Sequence, residues 1–193
     1  DPLLNKRALA YFSDAERPLD WSRAKRLFDA IPVVYRSAED YLHIMRPLLL
    51  SEDASDIEEI CQEATTTEAG TACWGVAFTS FVNNTQWERA LRLWKTRPAG
   101  LENDRSHPAW SYIDMSPHLP DRIIVLLEFL EEQGSSYMDD PAPAELVHFL
   151  VNYALSTLEI MKEITTETIL LLTRRLKQLD LLRADYFLTA IET

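Results

Sequence analysis

The side chains best suited to metal or nucleophilic chemistry are widely separated in this sequence. Its histidines are His43, His107, His118 and His148. A helical zinc site needs a spacing such as H-x-x-x-H or H-E-x-x-H, and neither occurs, so the sequence predicts no metal site. Cys61 and Cys73 lie outside a C-x-x-C spacing, which favours buried thiols over a disulfide framework or an activated nucleophile.

The carboxylates and glycines do not form a catalytic pattern either. Glu128, Glu131 and Glu132 share one face of a predicted helix, and a solvated face explains them better than a cation or acid site. Phosphate binding needs a glycine-rich loop or exposed helix amides, and the 4 glycines are far apart. We therefore expect no catalytic residue, cofactor or small-molecule substrate. An enzyme with an unrecognised site is the third-ranked hypothesis.

The charge balance disfavours nucleic acid as a partner. The chain has 19 basic and 31 acidic residues, a net charge of −12. Segment 38–68 alone contains nine acidic residues and one basic residue, a balance of −8. Such a surface repels phosphate backbones unless its cations gather in one place, and it complements a basic protein partner.

The composition predicts a folded, all-helical protein. Hydrophobic residues make up 47% of the chain and aromatic residues 10%, whereas glycine occurs only 4 times and no N-G or D-G hairpin signal is present. We expect no strand. The longest apolar runs, such as IIVLLEFL at 123–130, are far too short to span a bilayer, so no membrane is expected as a partner.

A repeated sequence pattern organises these helices. Residues 87–98, WERALRLWKTRP, match residues 21–32, WSRAKRLFDAIP, at a separation of 66 positions. A unit of 33 residues places further copies at ASDIEEIC (54–61) and PDRIIVLL (120–127), with apolar residues at the same i, i+3 and i+4 positions. Each copy therefore predicts a helix with one buried stripe, in phase at residues 24, 57, 90 and 123.

Another helix precedes each copy at the same period, and we call these four preceding helices the first series. Ala8, Tyr41, Trp74 and His107 begin this series. In its fourth copy Pro108 and Pro117 shorten the helix. The pattern predicts about four helical hairpins over residues 5–134, stacked as a right-handed α-solenoid. Residues 142–193 form further helices that lose the period, and we interpret them as a C-terminal cap of one domain spanning 1–193.

The repeat resembles the pentatricopeptide repeat family, with tetratricopeptide repeats as near relatives. From Trp74 to Trp94, the first-helix aromatic, the small residue Ala90 and a large apolar residue match the family pattern. The resemblance implies an array of helical hairpins. Proteins of that family bind single-stranded RNA, one base per repeat. The base-selecting positions, however, correspond here to apolar or unmatched residues: Gly75, Val76, Leu42 and His43.

Two hypotheses follow from this resemblance. The favoured one is a non-catalytic subunit that binds other proteins through a repeat face, because such arrays present extended binding surfaces. The alternative is an organellar RNA-binding protein of the pentatricopeptide type. Acidic proteins of this family and size include stable subunits of mitochondrial assemblies, so the resemblance implies the mitochondrial matrix, with the cytoplasm as the second choice.

The in-phase tryptophans and arginines are the candidate partner-binding residues, since these residue types are enriched at the energetic centres of protein interfaces. They are Trp21, Arg23, Arg26, Trp87, Arg89 and Arg92. A structural role ranks ahead of partner binding for the arginines, and both roles remain open for the tryptophans. In that interpretation the arginine stems cover the repeat faces, their guanidinium groups meet carboxylates of neighbouring repeats, and the tryptophans wedge between repeats.

Overall fold

The structure is a computed structural model, and it describes residues 1–13, 20–49, 55–64, 69–101, 107–116, 118–133, 140–157, 160 and 165–178. All regular secondary structure in these ranges is helical, which confirms the all-α prediction for the described part of the chain. Within these ranges every helix is too short or too polar to traverse a bilayer. Residues 134–139, which lie between the predicted repeats and the predicted cap, and the segment after 178 lie outside the described residues.

Nine α-helices and two short 3-10 helices are described. The α-helices are α1 (Pro2–Phe12), α2 (Trp21–Asp29), α3 (Ala38–Leu49), α4 (Ser55–Ala64), α5 (Gly70–Asn83), α6 (Trp87–Trp94), α7 (Leu119–Gln133), α8 (Ala142–Ser156) and α9 (Thr166–Gln178). The 3-10 helices are Val33–Tyr35 and Pro108–Tyr112. The second stands where the fourth first-series helix was expected, and Pro108 at its start fits the predicted shortening.

The chain divides into two compact units. The first comprises Asp1–Ser80 and Arg97–Asp114, and the second comprises Phe81–Thr96 and Met115–Thr193. In the first unit α1 packs against α2 and α3, and α3 packs against α2 and α4. In the second unit α8 packs against α6 and α7, and α7 also packs against α9.

Side-chain caps explain where the first three helices begin. The Asp1 carboxylate accepts a hydrogen bond from the Leu3 amide at 2.9 Å, and the Asp20 carboxylate accepts one from the Arg23 amide at 3.0 Å. At α3 the Asp40 carboxylate accepts from both the amide and the hydroxyl of Ser37, each at 2.7 Å. The three contacts that amides donate satisfy backbone donors that a helix start leaves without intrahelical partners.

The in-phase apolar positions are buried. Ala24 on α2, Ile57 on α4, Ala90 on α6 and Ile123 on α7 are each 0% exposed. Aromatic contacts complete each core: the rings of Phe28 and Tyr41 meet edge to face at 5.3 Å in the first unit, and those of Trp94 and Phe149 lie 4.7 Å apart in the second.

Candidate protein-docking surface

The six candidate partner-binding residues lie on two helices, one in each compact unit. Trp21, Arg23 and Arg26 are on α2, and the other three are on α6. Each triplet begins at the first residue of its helix, so the sequence match reflects equivalent helix positions. The side chains of the two triplets nevertheless have different surroundings.

The α2 triplet is exposed. Trp21 keeps 38% of its surface accessible, and both arginines are exposed. The Arg23 guanidinium lies over the Phe12 ring of α1, 4.5 Å from its centroid, while Arg26 Nε donates to the Ser22 carbonyl at 3.3 Å. In the described residues neither guanidinium pairs with a carboxylate. The expectation that these arginines meet carboxylates of neighbouring repeats was therefore wrong for this part of the chain.

The α6 triplet is largely engaged inside its own unit. Trp87 is only 4% exposed, which fits a packing role better than an exposed anchor. Arg89 is half-buried, donates to Gln86 Oε1 at 3.4 Å and approaches the Phe81 ring at 6.0 Å. Arg92 is exposed and pairs with Glu88 of the same helix at 3.6 Å. Of the two triplets, α2 thus offers its side chains to solvent and α6 mostly does not.

Further exposed apolar side chains, which the repeat pattern did not identify, lie beside the α1–α2 hairpin. Val34 is 85% exposed and Tyr35 60%, and Val33 precedes them in the same 3-10 helix. Leu3 and Leu4 on α1 are also exposed. The sequence PVVYR at 32–36, an apolar run in a connection between two helices, was the available signal.

The start of α1 and the end of α2 are joined directly. The Asn5 side-chain amide donates to the Ala30 carbonyl at 3.3 Å, which places the first turn of α1 beside the chain entering Val33–Tyr35. At the other end of the hairpin, Tyr11 and Phe12 meet edge to face at 5.2 Å, and Phe12 contacts Arg23. Exposed apolar groups therefore lie at both ends of one hairpin.

Two other cations, Lys6 on α1 and Arg36 after α2, form ion pairs within the first unit. Lys6 Nζ lies 2.6 Å from Asp40 Oδ2. Burial opposes the charged form of Asp40, but the hydrogen bonds from Lys6 and Ser37 outweigh it and lower the pKa of Asp40. Arg36 pairs with Glu63, with its guanidinium 4.1 Å from the Phe28 ring centroid.

The hydroxyl of Tyr41 joins the second of these ion pairs. Tyr41 donates to Glu63 Oε1 at 2.8 Å, and burial together with the carboxylate raises the pKa of Tyr41 to about 12. Two acidic residues of segment 38–68, Asp40 and Glu63, are therefore neutralised by contacts within their own unit.

The acidic face of α4 also has an internal neighbour. Lys25 on α2 pairs with Asp29 at 2.9 Å. Burial lowers the pKa of Lys25, but the hydrogen bond to Asp29 and the nearby charges of Asp29, Asp56 and Glu59 raise it overall. Two acidic residues of segment 38–68, Asp56 and Glu59, thus have a cation of α2 as their neighbour.

Gly75, which aligns with a base-selecting position of pentatricopeptide repeats, is buried against the 3-10 helix Pro108–Tyr112. A Cβ atom placed on Gly75 would lie 2.7 Å from Tyr112 Cβ, so the position is covered by neighbouring chain. The hydroxyl of Thr79, one turn later, donates to the Tyr112 carbonyl at 3.3 Å. The other aligned positions, Val76, Leu42 and His43, are half-buried.

The two thiols have the surroundings expected of core cysteines. Cys61 and Cys73 are both buried and free. Burial raises the pKa of each thiol, to about 12 for Cys73, which keeps them in the poorly nucleophilic protonated form. The described residues contain no group of three or more His, Cys, Asp or Glu side chains placed to hold a metal ion.

Comparisons with known proteins do not assign this chain to a class. Protein-family models gave no match to the chain, and comparisons with curated proteins and with solved structures gave none either.

Proposed function

We propose that this chain is a non-catalytic helical-repeat subunit that binds other proteins within a larger assembly. The observation that carries the proposal is the exposed surface of the α1–α2 hairpin and of the 3-10 helix Val33–Tyr35 that follows it. Trp21, Val34 and Tyr35 are exposed there, and Arg23 and Arg26 pair with no carboxylate of the described residues. Exposed aromatic and arginine side chains together are the typical anchors of protein interfaces.

The architecture proposed for this subunit is a right-handed α-solenoid of about four hairpins with a helical cap, as one repeat domain. Its support is the regular recurrence of α2, α4, α6 and α7 along the chain, each with its in-phase residue fully buried. Gly75 supports a close approach of successive first-series segments, since it lies against Tyr112.

The proposed class is a pentatricopeptide-like repeat protein without the family's RNA-reading residues. The aligned base-selecting positions support a protein ligand over an RNA ligand, because the Gly75 backbone is covered and the other three side chains are half-buried. The particular candidate is a protein similar to the extra subunit on the catalytic head of euglenozoan mitochondrial ATP synthase, in the mitochondrial matrix. Size, acidity and a short repeat number support this candidate.

A non-catalytic role is supported by how the shifted titratable groups are used. Asp40 and Tyr41 have altered pKa values because they bind Lys6 and Glu63, which are structural contacts between helices. The two thiols are buried in the core. Perturbed groups at an active site would instead converge on a cleft.

Affinity purification of the tagged chain from its native cells, followed by mass spectrometry, tests the proposal. We expect a stoichiometric protein assembly, such as the ATP synthase head, that is lost with Trp21→Ala and retained with Leu170→Ala, an exposed apolar control on α9. Recovery of the chain alone, or only with RNA, would contradict the proposal.

A further inference from the structure

The α1–α2 hairpin combines two surface properties that the rest of the described chain does not concentrate in one place. Most of the large apolar side chains that the described residues expose lie within residues 1–36: Leu3, Leu4, Tyr11, Trp21, Val33, Val34 and Tyr35. Several large apolar groups exposed on one hairpin indicate a binding role.

The same region is basic in an acidic protein. Residues 1–36 contain seven basic and five acidic residues, a balance of +2, whereas the whole chain has a net charge of −12. Lys6, Lys25 and Arg36 form ion pairs with other residues of the first unit. Arg7, Arg23 and Arg26 are exposed, and no carboxylate of the described residues lies within salt-bridge distance of them.

The arginines and the apolar groups are interleaved. Arg7 lies one helical turn from Leu3 and Leu4 in one direction and one turn from Tyr11 in the other, and all of these side chains are exposed. The Arg23 guanidinium also contacts α1, because it lies over the ring of Phe12, the neighbour of Tyr11. A ligand covering this surface would meet guanidinium groups and apolar groups together.

We propose that this hairpin surface binds an acidic protein segment that also carries large apolar side chains. The surface comprises Arg7, Arg23 and Arg26 together with Leu3, Leu4, Tyr11, Trp21, Val33, Val34 and Tyr35. Guanidinium groups match carboxylates in charge and in bidentate geometry, and they gain most where apolar neighbours exclude water. This inference rests on the proposed function and adds the chemistry of the partner.

An acidic protein segment fits this surface better than RNA does. Four of the surface's seven exposed apolar side chains, Leu3, Leu4, Val33 and Val34, are aliphatic, so only Tyr11, Trp21 and Tyr35 offer rings on which a base could stack. The net charge of −12 repels an extended polyanion, whereas a short acidic segment needs to meet only the three arginines. A second copy of this chain could also supply carboxylates, and the test separates that occupant.

The probes are two labelled helical peptides with identical leucine positions, whose polar positions are glutamate and glutamine in one and lysine and glutamine in the other. We expect the acidic peptide to bind the full chain at least about tenfold more tightly than the basic one at physiological ionic strength, measured by fluorescence anisotropy. Equal binding of the two peptides, or tighter binding of the basic one, would overturn the proposal. So would tighter binding of polyuridylate.

Variants locate the binding. The double change Arg23→Glu with Arg26→Glu should weaken the acidic peptide at least about tenfold, and Val34→Asp should weaken it independently, since its side chain is 85% exposed and tolerates a charge in the folded chain. Arg174→Glu on α9 is the matched control, an exposed arginine in the second unit, and should change affinity less than about twofold. Equal losses in both arginine variants would overturn the proposal.

Sedimentation and native purification separate the remaining outcomes. Self-association of the wild-type chain that disappears in the double variant would make a second copy the occupant and overturn the proposal. A native assembly that the double variant retains would leave the proposed function standing and overturn this inference alone. Failure of the wild-type chain to recover any protein partner would defeat the proposed function itself.

Discussion

Helices α2 and α6 begin with nearly the same sequence, WSRAKRLF and WERALRLW, yet they expose different side chains. Trp21 is 38% exposed and Trp87 only 4%. The connection before each helix explains part of this difference. Only residues 84–86 separate α5 from α6, and the Gln86 amide donates to the Phe81 carbonyl at 2.9 Å, which holds Trp87 close to the preceding helix. Residues 13–20 separate α1 from α2.

A repeated motif in this chain therefore determines the position of a helix but not the role of its flanking side chains. The in-phase alanines, Ala24 and Ala90, are fully buried in both copies because close helix packing needs a small residue there. The exposure of the flanking tryptophan and arginines depends instead on the residues around them. The same residue types therefore contribute to the core in α6 and to a candidate docking surface in α2.

The largest expected difference between the two copies is in stability. Trp87→Ala should lower the free energy of unfolding by about 3–5 kcal/mol, because it empties a buried site, whereas Trp21→Ala should cost less than about 1 kcal/mol. Urea denaturation followed by circular dichroism measures both. Trp87→Phe, which keeps a ring in the site and removes the Nε1 hydrogen that finds no hydrogen-bond acceptor among the described residues, is the control. Equal losses for the two alanine variants would show that the two tryptophans contribute equally to stability, contrary to their different exposure.

A smaller effect concerns the ion pair between Arg36 and Glu63 in the first unit. Glu63→Ala should cost about 2 kcal/mol, because it leaves the buried Arg36 guanidinium and the Tyr41 hydroxyl without their shared acceptor. Glu63→Gln keeps an oxygen for Tyr41 and should cost less. The urea midpoints of the two variants measure the difference. Identical midpoints for Glu63→Ala and the wild-type chain would show that the pair does not stabilise the hairpin.

The smallest effect is pH-dependent. Because the folded-state pKa of Asp40 is lowered, its contribution to stability is complete above the ordinary aspartate pKa, about 4, and is lost as the pH falls through the folded value. Asp40→Asn should therefore cost about 1 kcal/mol at pH 7, and this deficit should shrink at low pH. Urea denaturation at pH 7 and at about pH 3 measures this deficit, with Glu132→Gln as an exposed control. A deficit that stays constant with pH would contradict the assignment.

The sequence predicted the helices better than their surroundings. Apolar periodicity reports which face of a helix is buried, and residues 24, 57, 90 and 123 are buried as that argument requires. Periodicity carries no information on what lies opposite a residue near the edge of the stripe. For that reason the exposure of Trp21 and the burial of Trp87 could not be read from their shared motif.

Two further features depended on contacts distant in sequence. The role of Gly75 is set by Tyr112, which approaches it from a later 3-10 helix. The pairing of Arg36 with Glu63 was likewise invisible to a count of charges, which assigned Glu63 to the acidic surface. In contrast, the exposed run Val33–Tyr35 had a local signal in the sequence. These apolar residues follow Pro32 in the connection between two helices, and the repeat pattern did not identify them.

Hydroxyl-radical footprinting of the chain, free and within its native assembly, tests docking through the first hairpin most directly. Oxidation of Tyr11, Trp21 and Tyr35 should fall several-fold on assembly, since these exposed rings would be covered by the partner. Leu170, exposed on α9, is the internal reference and should keep its reactivity. Unchanged oxidation of all three rings, with protection confined to the second unit, would contradict the account.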